Sequence, residues 1–224
     1  MNVALPRWVA FRIPIRARQA GARAIDVGEL ASKVVIVTLF SFMAMRIAED
    51  AAATGHVTGI LLLVSEALVV ALTIIRRPAG MVDRTLKARL LTMAATFGPP
   101  LVRPDSLEGL TPEAVTITIS AIGLIVVVLG KLSLGRSFGL APANRGIVST
   151  GVYRFVRHPI YLGYLITHLG FVLANPADWN IAVLLTADLA LMLRARCEEQ
   201  TLSLDAMYRD YMQRVRWRVV PGVF

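Results

Sequence analysis

The sequence predicts an all-α, polytopic membrane helical bundle, with about four spans, a C-terminal helical hairpin and a cytoplasmic amphipathic tail. Three observations predict it. Hydrophobic residues make up 56% of the 224 positions, more than a water-soluble domain of this length requires. They gather in stretches approaching the ~20 residues that a helix needs to cross a ~30 Å hydrocarbon core. The charges collect between those stretches, with basic residues concentrated on alternate sides.

Taken in order, residues 1–30 carry Arg7, Arg12, Arg16, Arg18 and Arg23 among apolar side chains, with Pro6 and Pro14 interrupting any long helix. This is the pattern of a basic segment lying on anionic lipid. Spans follow at about 31–47, 56–75, 86–102 and 112–134, making 31–134 the transmembrane part. The third is interrupted by Gly98-Pro99-Pro100, and Pro112 suits the start of the fourth. A polar loop at 135–158 leads to two shorter apolar runs, 159–174 and 177–193, turned at Asn175-Pro176. A polar tail, 194–224, completes the loop, hairpin and tail unit of 135–224. Gly55-x-x-x-Gly59 has small-residue spacing for helix packing, at a span edge.

Sidedness tests this threading. With the N-terminus in the cytoplasm and six crossings, Arg46 and Arg103 are the only outward basic residues of 24. The outer loops hold Glu49, Asp50, Asp105, Glu108, Glu113 and Asp178. Both termini, the 135–158 loop and the tail then share the cytoplasmic face. The net charge of +9 is thus topological, and no nucleic-acid partner is expected. One cysteine, Cys197, excludes an intramolecular disulfide and has no histidine partner for nucleophilic work. No His, Cys, Asp or Glu set has metal-ligand spacing, so no metal is expected. No dinucleotide fingerprint, phosphate loop or nucleophile elbow is present.

The residues that can carry chemistry lie late in the chain. Pro159 fits the first position of a helix, and His158 its cap, where backbone N–H groups receive anions. Arg157 adds a planar fork for a carboxylate. The same arginine, with Arg154, would equally anchor the hairpin to lipid phosphate. Arg194 precedes Glu198 by four residues, so one helical face presents both, and Glu199 stands beside them. Glu66 and Asp188 lie within apolar runs, where pairing that locks helix packing is the expected role.

Those residues sit within a larger set: Leu134-Gly135-Arg136-Ser137-Phe138, Gly151-x-Tyr153, Arg157-His158-Pro159-x-Tyr161-x-Gly163, Glu198-Glu199, Tyr208-x-x-Tyr211 and Pro221. In this order the stretch 132–224 resembles the isoprenylcysteine carboxyl methyltransferase family and the related phospholipid methyltransferase-like membrane proteins. The resemblance implies S-adenosylmethionine as cofactor. It implies cofactor contacts from Arg145, Gly146, Ile147, Val148, Tyr153, His158, Pro159, Ile160 and Tyr161, and from Glu198, with Glu199 the other member of the pair. It implies Arg157 and Arg194 facing the acceptor, which with Glu198 form the catalytic set. Residues 202–207 are shorter than the family's usual stretch between the glutamates and the tyrosine pair.

The expected activity is methylation of a carboxylate on an isoprenoid- or lipid-like amphiphile drawn from the bilayer. A carboxylate acceptor needs no general base, whereas an amine must first lose a proton. N-methylation of an amine-bearing lipid is the alternative, followed by an NADPH-dependent reductase of the sterol type, which shares an Arg-His-Pro-x-Tyr region. Arginine-rich, alanine-rich composition fits a GC-rich bacterial genome. The expected location is therefore a bacterial inner membrane, with anionic lipid around the basic segments.

Overall fold

The computed structural model describes residues 27–54, 57–103 and 109–224. Most of the basic segment 1–30, the Gly55 end of the Gly55-x-x-x-Gly59 pattern, and the outer acidic residues Asp105 and Glu108 lie outside the described residues.

Among the described residues there are seven α-helices: α1 (Val27–Thr54), α2 (Val57–Ile75), α3 (Leu86–Phe97), α4 (Glu113–Leu134), α5 (Pro159–Ala174), α6 (Asp178–Leu202) and α7 (Ala206–Arg214). Two of them contain stretches long and apolar enough to cross a membrane, Leu30–Glu49 and Glu113–Ser137. Ile60–Ile75 and Pro159–Ala174 are apolar but shorter. The third stretch expected to cross instead yields a helix of 12 residues, about 18 Å of rise, because Gly98 and the Pro99–Leu101 3-10 turn close it. The hairpin differs too. Its second arm does not end at residue 193 but continues as one helix of 25 residues through Leu202, since neither glycine nor proline interrupts it. The expected break between hairpin and tail is thus a helix interior, which fixes Arg194 and Glu198 on one face.

One small non-helical device joins the halves. β1 (Met81–Val82) pairs antiparallel with β2 (Ala143–Asn144), Met81 opposite Asn144 and Val82 opposite Ala143. It pins the polar loop to the α2–α3 connection.

The tightest contact is between α4 and α5. A Cβ on Gly163 would stand 2.7 Å from the Gly123 carbonyl oxygen and 2.8 Å from the Val127 nitrogen. Only glycine permits this approach of two backbones, and the seam continues in both directions, with Gly130 against Ile160 and Gly170 against Ser120. Buried charges lock the other helices. Lys131 on α4 donates to the Ser65 carbonyl (2.9 Å) and hydroxyl (2.7 Å) on α2 and stands 3.9 Å from Glu66. His168 on α5 meets Asp188 on α6 at 2.6 Å. Glu66, beside Lys131, and Asp188, bonded to His168, therefore each hold two helices together, as their positions in apolar runs led us to expect. Together α4, α5 and α6 form a frame whose polar ends hold the loop 135–158 and the tail.

Candidate active site

The loop 135–158 is shaped by one backbone necessity and one hydrogen-bonded anchor. Gly146 has φ +106°, a region side-chain-bearing residues rarely adopt, and its N–H donates to the Asn144 side chain (3.0 Å). Asn144 in turn donates to Asp205 (3.0 Å), whose other oxygen caps α7 by accepting from Met207 N–H (2.9 Å). One side chain thus fixes the loop's turn and the start of the tail helix.

The Arg-His-Pro bend is held by main-chain pairing with the tail. Arg157 N–H donates to the Trp217 carbonyl (3.0 Å) and His158 N–H to that of Arg218 (2.8 Å). Pro159 then begins α5, where its missing N–H is no loss. The two glutamates on α6 part company here. Glu199 is almost wholly buried and receives three side chains: Arg157 Nε at 2.9 Å, His158 Nε2 at 3.2 Å and Arg218 Nε at 2.8 Å. Burial would raise its pKa. The His158 hydrogen bond and the charges of His158, Arg157 and Arg218 outweigh that and hold it below the ordinary carboxylate value. Glu199 is a latch between bend, helix and tail.

Glu198 faces the other way, into a cavity. It accepts from Arg194 Nη2 (3.1 Å) and lies 3.5 Å from His158 Nδ1. His158 therefore stands between the two carboxylates, one ring nitrogen toward each. Its ring stacks on Tyr161, centroids 5.1 Å apart, and the Arg194 guanidinium covers the Tyr161 ring at 5.4 Å. The tail closes the remaining side. Tyr211 donates its hydroxyl to the Tyr153 carbonyl (2.6 Å) and packs edge-on against Tyr208. Burial first, then the nearby Glu198 charge, pushes the Tyr153 phenol well above its usual range. Burial likewise raises Tyr208 and Tyr211. All three stay protonated at neutral pH.

Of the residues expected at the site, Arg145, Gly146, Ile147, Val148, Tyr153, Arg157, His158, Ile160, Tyr161, Arg194 and Glu198 all line this one cavity. Pro159 and Glu199 do not. Pro159 starts the helix beneath it, and Glu199 is turned away into the latch. Sequence reasoning did not assign Tyr164, Tyr208, Tyr211 or the 137–141 segment to the lining. Tyr164 sits one turn beyond Tyr161 on the same helical face, and Tyr208 and Tyr211 are likewise one turn apart, a spacing that could have signalled a shared face. Arg194 Nε and the Tyr208 hydroxyl are buried and, among the described residues, have no hydrogen-bond partner. Such groups point to a polar ligand. The cavity thus offers a carboxylate, arginine donors, neutral phenols and an apolar strip from Ile147 and Val148.

Comparison with known proteins bears on the same segment. Residues 115–204 match the model of the isoprenylcysteine carboxyl methyltransferase (ICMT) family. A stretch of 74 residues is 39% identical to protein-S-isoprenylcysteine O-methyltransferase A of Arabidopsis thaliana, covering 27% of this chain and 38% of that protein. The match thus spans under half the length of that curated relative. No solved structure matches the chain significantly.

Proposed function

We propose that this chain, whose residues 115–204 match the model of the isoprenylcysteine carboxyl methyltransferase family, is a membrane methyltransferase acting on the carboxylate of an isoprenoid- or lipid-like amphiphile. The observation that carries this reading is the convergence of the 145–161 loop, Arg194 and Glu198 on one cavity, within and beside the matched segment.

S-adenosylmethionine, when bound, supplies an electrophilic methyl group on a sulfonium. The residues present fit it. The unpartnered Tyr208 hydroxyl and the Glu198 carboxylate suit its polar ends, and Ile147, Val148 and the tyrosine faces suit its flat apolar surface. Glu198 would hold the donor, with its orientation set by Arg194 and His158. Arg194 Nε would orient the acceptor carboxylate, supported by Arg157, whose own Nε is engaged by Glu199. Positioning is the main task of such a site, and alignment of the reacting pair is worth about 7–11 kcal/mol. The tyrosines of the wall are neutral, and Glu198 is the one carboxylate of the lining, set against the guanidinium groups of Arg145, Arg157 and Arg194.

We place the reaction at the cytoplasmic face of a bacterial inner membrane, with both termini cytoplasmic and anionic lipid at the basic linkers. The charge asymmetry and the position of the cavity at the ends of α4, α5 and α6 support this. The test is methyl transfer by the purified protein in lipid nanodiscs, using donor labelled in the methyl group and a carboxylate-ended isoprenoid. Base-labile label, released as methanol, is expected. A base-stable methylamine formed from an amine lipid would contradict carboxyl methylation.

A further inference from the structure

The outer face of α6 changes character near its C-terminal end. Ala182, Leu185 and Leu189 are exposed, and Arg196 and Gln200 continue the same stripe, seven and eleven positions beyond Leu189. Seven residues rise about 10.5 Å, so Arg196 stands roughly two turns past the last exposed leucine. An apolar stripe that ends in arginine marks the level where hydrocarbon gives way to headgroups. At that level lies a pocket of about 250 Å³, lined by Arg196, Glu199, Gln200 and Arg218. It shares no lining residue with the candidate active-site cavity.

Phe224 organises the two arginines. The Arg196 guanidinium lies over its ring at 5.2 Å and that of Arg218 at 4.5 Å. The ring is held in turn by its own backbone, because the Phe224 main-chain oxygen accepts from the N–H groups of Arg218 (3.0 Å), Val219 (2.8 Å) and Val220 (3.0 Å). Arg218 Nε is engaged by Glu199 (2.8 Å), whereas Arg196 has no hydrogen-bond or ion-pair partner among the described residues. Glu199 already serves Arg157 at 2.9 Å and His158 at 3.2 Å. The guanidinium groups of Arg157, Arg196 and Arg218 thus stand about one carboxylate.

Two ring-held forks at the end of a lipid-facing stripe suit a phosphate diester carried on acyl chains. We infer that this pocket is a headgroup site for a phospholipid of net negative charge, its phosphate gripped by Arg196 and Arg218 and its chains lying along Leu185 and Leu189. Unlike the diffuse attraction of basic linkers to anionic lipid, such a site has defined residues and reaches the latch, because Glu199 is part of its lining. A phosphate on Arg218 gives that guanidinium a second anion while its Nε stays on Glu199. Bend, helix and tail are then held together more firmly when the lipid is bound. The site needs a bilayer around α6 and nothing from the methyl-transfer reading.

The test is native mass spectrometry of the full chain from micelles holding equal phosphatidylglycerol and phosphatidylcholine, with thermal melts in nanodiscs of each lipid. Retention of one phosphatidylglycerol per chain is expected, in preference to phosphatidylcholine, with a higher melting temperature in phosphatidylglycerol. Arg196→Gln alters an exposed side chain, so its melting temperature in phosphatidylcholine should stay close to wild type. Its phosphatidylglycerol retention should fall about tenfold, and the thermal gain should vanish. Arg196→Lys keeps a charge near Phe224 without the fork and should recover only part of both. Arg214→Gln, at an exposed tail position outside the pocket, should change neither. Retention indifferent to Arg196, or lowered equally by Arg214→Gln, would overturn the inference. So would an equal thermal gain from inorganic phosphate in phosphatidylcholine nanodiscs, which assigns the pocket to a free anion.

Discussion

Neighbouring glutamates on one helix have opposite duties. Glu198 and Glu199 differ by one position, about 100° around the helix, and that rotation sends one to the cavity and the other to the latch. The resemblance favoured Glu198 for the cofactor, but the sequence held no separate role for Glu199, because one of its partners is Arg218, a tail residue with no motif of its own. The predictions at this scale are correspondingly different. Glu198→Gln should weaken S-adenosylmethionine binding by about 10–100-fold, the worth of a charged hydrogen bond, with little change in melting temperature. Calorimetry and thermal melts on the same preparation check it. Glu199→Gln should instead lower stability by about 3–5 kcal/mol, because Arg157 and Arg218 lose their buried partner. The sign of the pH effect follows from its lowered pKa. The latch's contribution is complete above the ordinary carboxylate value of 4.5 and is lost as pH falls through the depressed one. Melting temperature in the wild type should therefore drop on acidification below about pH 4.5, while the Gln variant, already lower at neutral pH, loses less over the same window.

At the scale of elements, α4 and α5 explain why the site is rigid. The Gly123–Gly163 contact brings the two backbones together, and α5 carries Pro159, Ile160, Tyr161 and Tyr164 on the same rod. Gly163→Ala would force a methyl group within 2.8 Å of the Val127 nitrogen, so the helices must separate. A loss of about 1–3 kcal/mol is expected from such overpacking, together with weaker donor binding. Retained melting temperature and affinity would show that the seam does not position the site. Helix existence and order were legible from apolar runs, as were Pro159 as a helix start and a packing role for each of Glu66 and Asp188. The glycine seam was not, since glycines seven apart on two helices declare a contact only once the helices are known to be neighbours. The continuous α6 was missed for the opposite reason. Composition changes sharply at Arg194, yet a helix ends where its backbone is broken, and nothing between Asp178 and Leu202 breaks it.

For the whole molecule, the account places a polar site at one end of an apolar frame, with chains from both halves converging on it through β1, β2 and the tail. The site's core residues were readable because the motif order resembled a known family, whereas its tyrosine wall emerges only from folding. Sidedness is the element of this account most open to direct contradiction after chemistry. Single cysteines placed at Arg136 and Arg214 in a Cys197→Ser background should both be labelled from the cytoplasmic side in intact cells and protected from outside. Labelling on opposite sides would break the site apart.

The most direct measurement is calorimetric titration of the full chain in nanodiscs with S-adenosylmethionine and, separately, with NADPH. Saturable one-site binding of S-adenosylmethionine, weakened in Glu198→Gln, is expected, with no binding of NADPH. Wild-type protein that takes up NADPH, or neither compound, would contradict it.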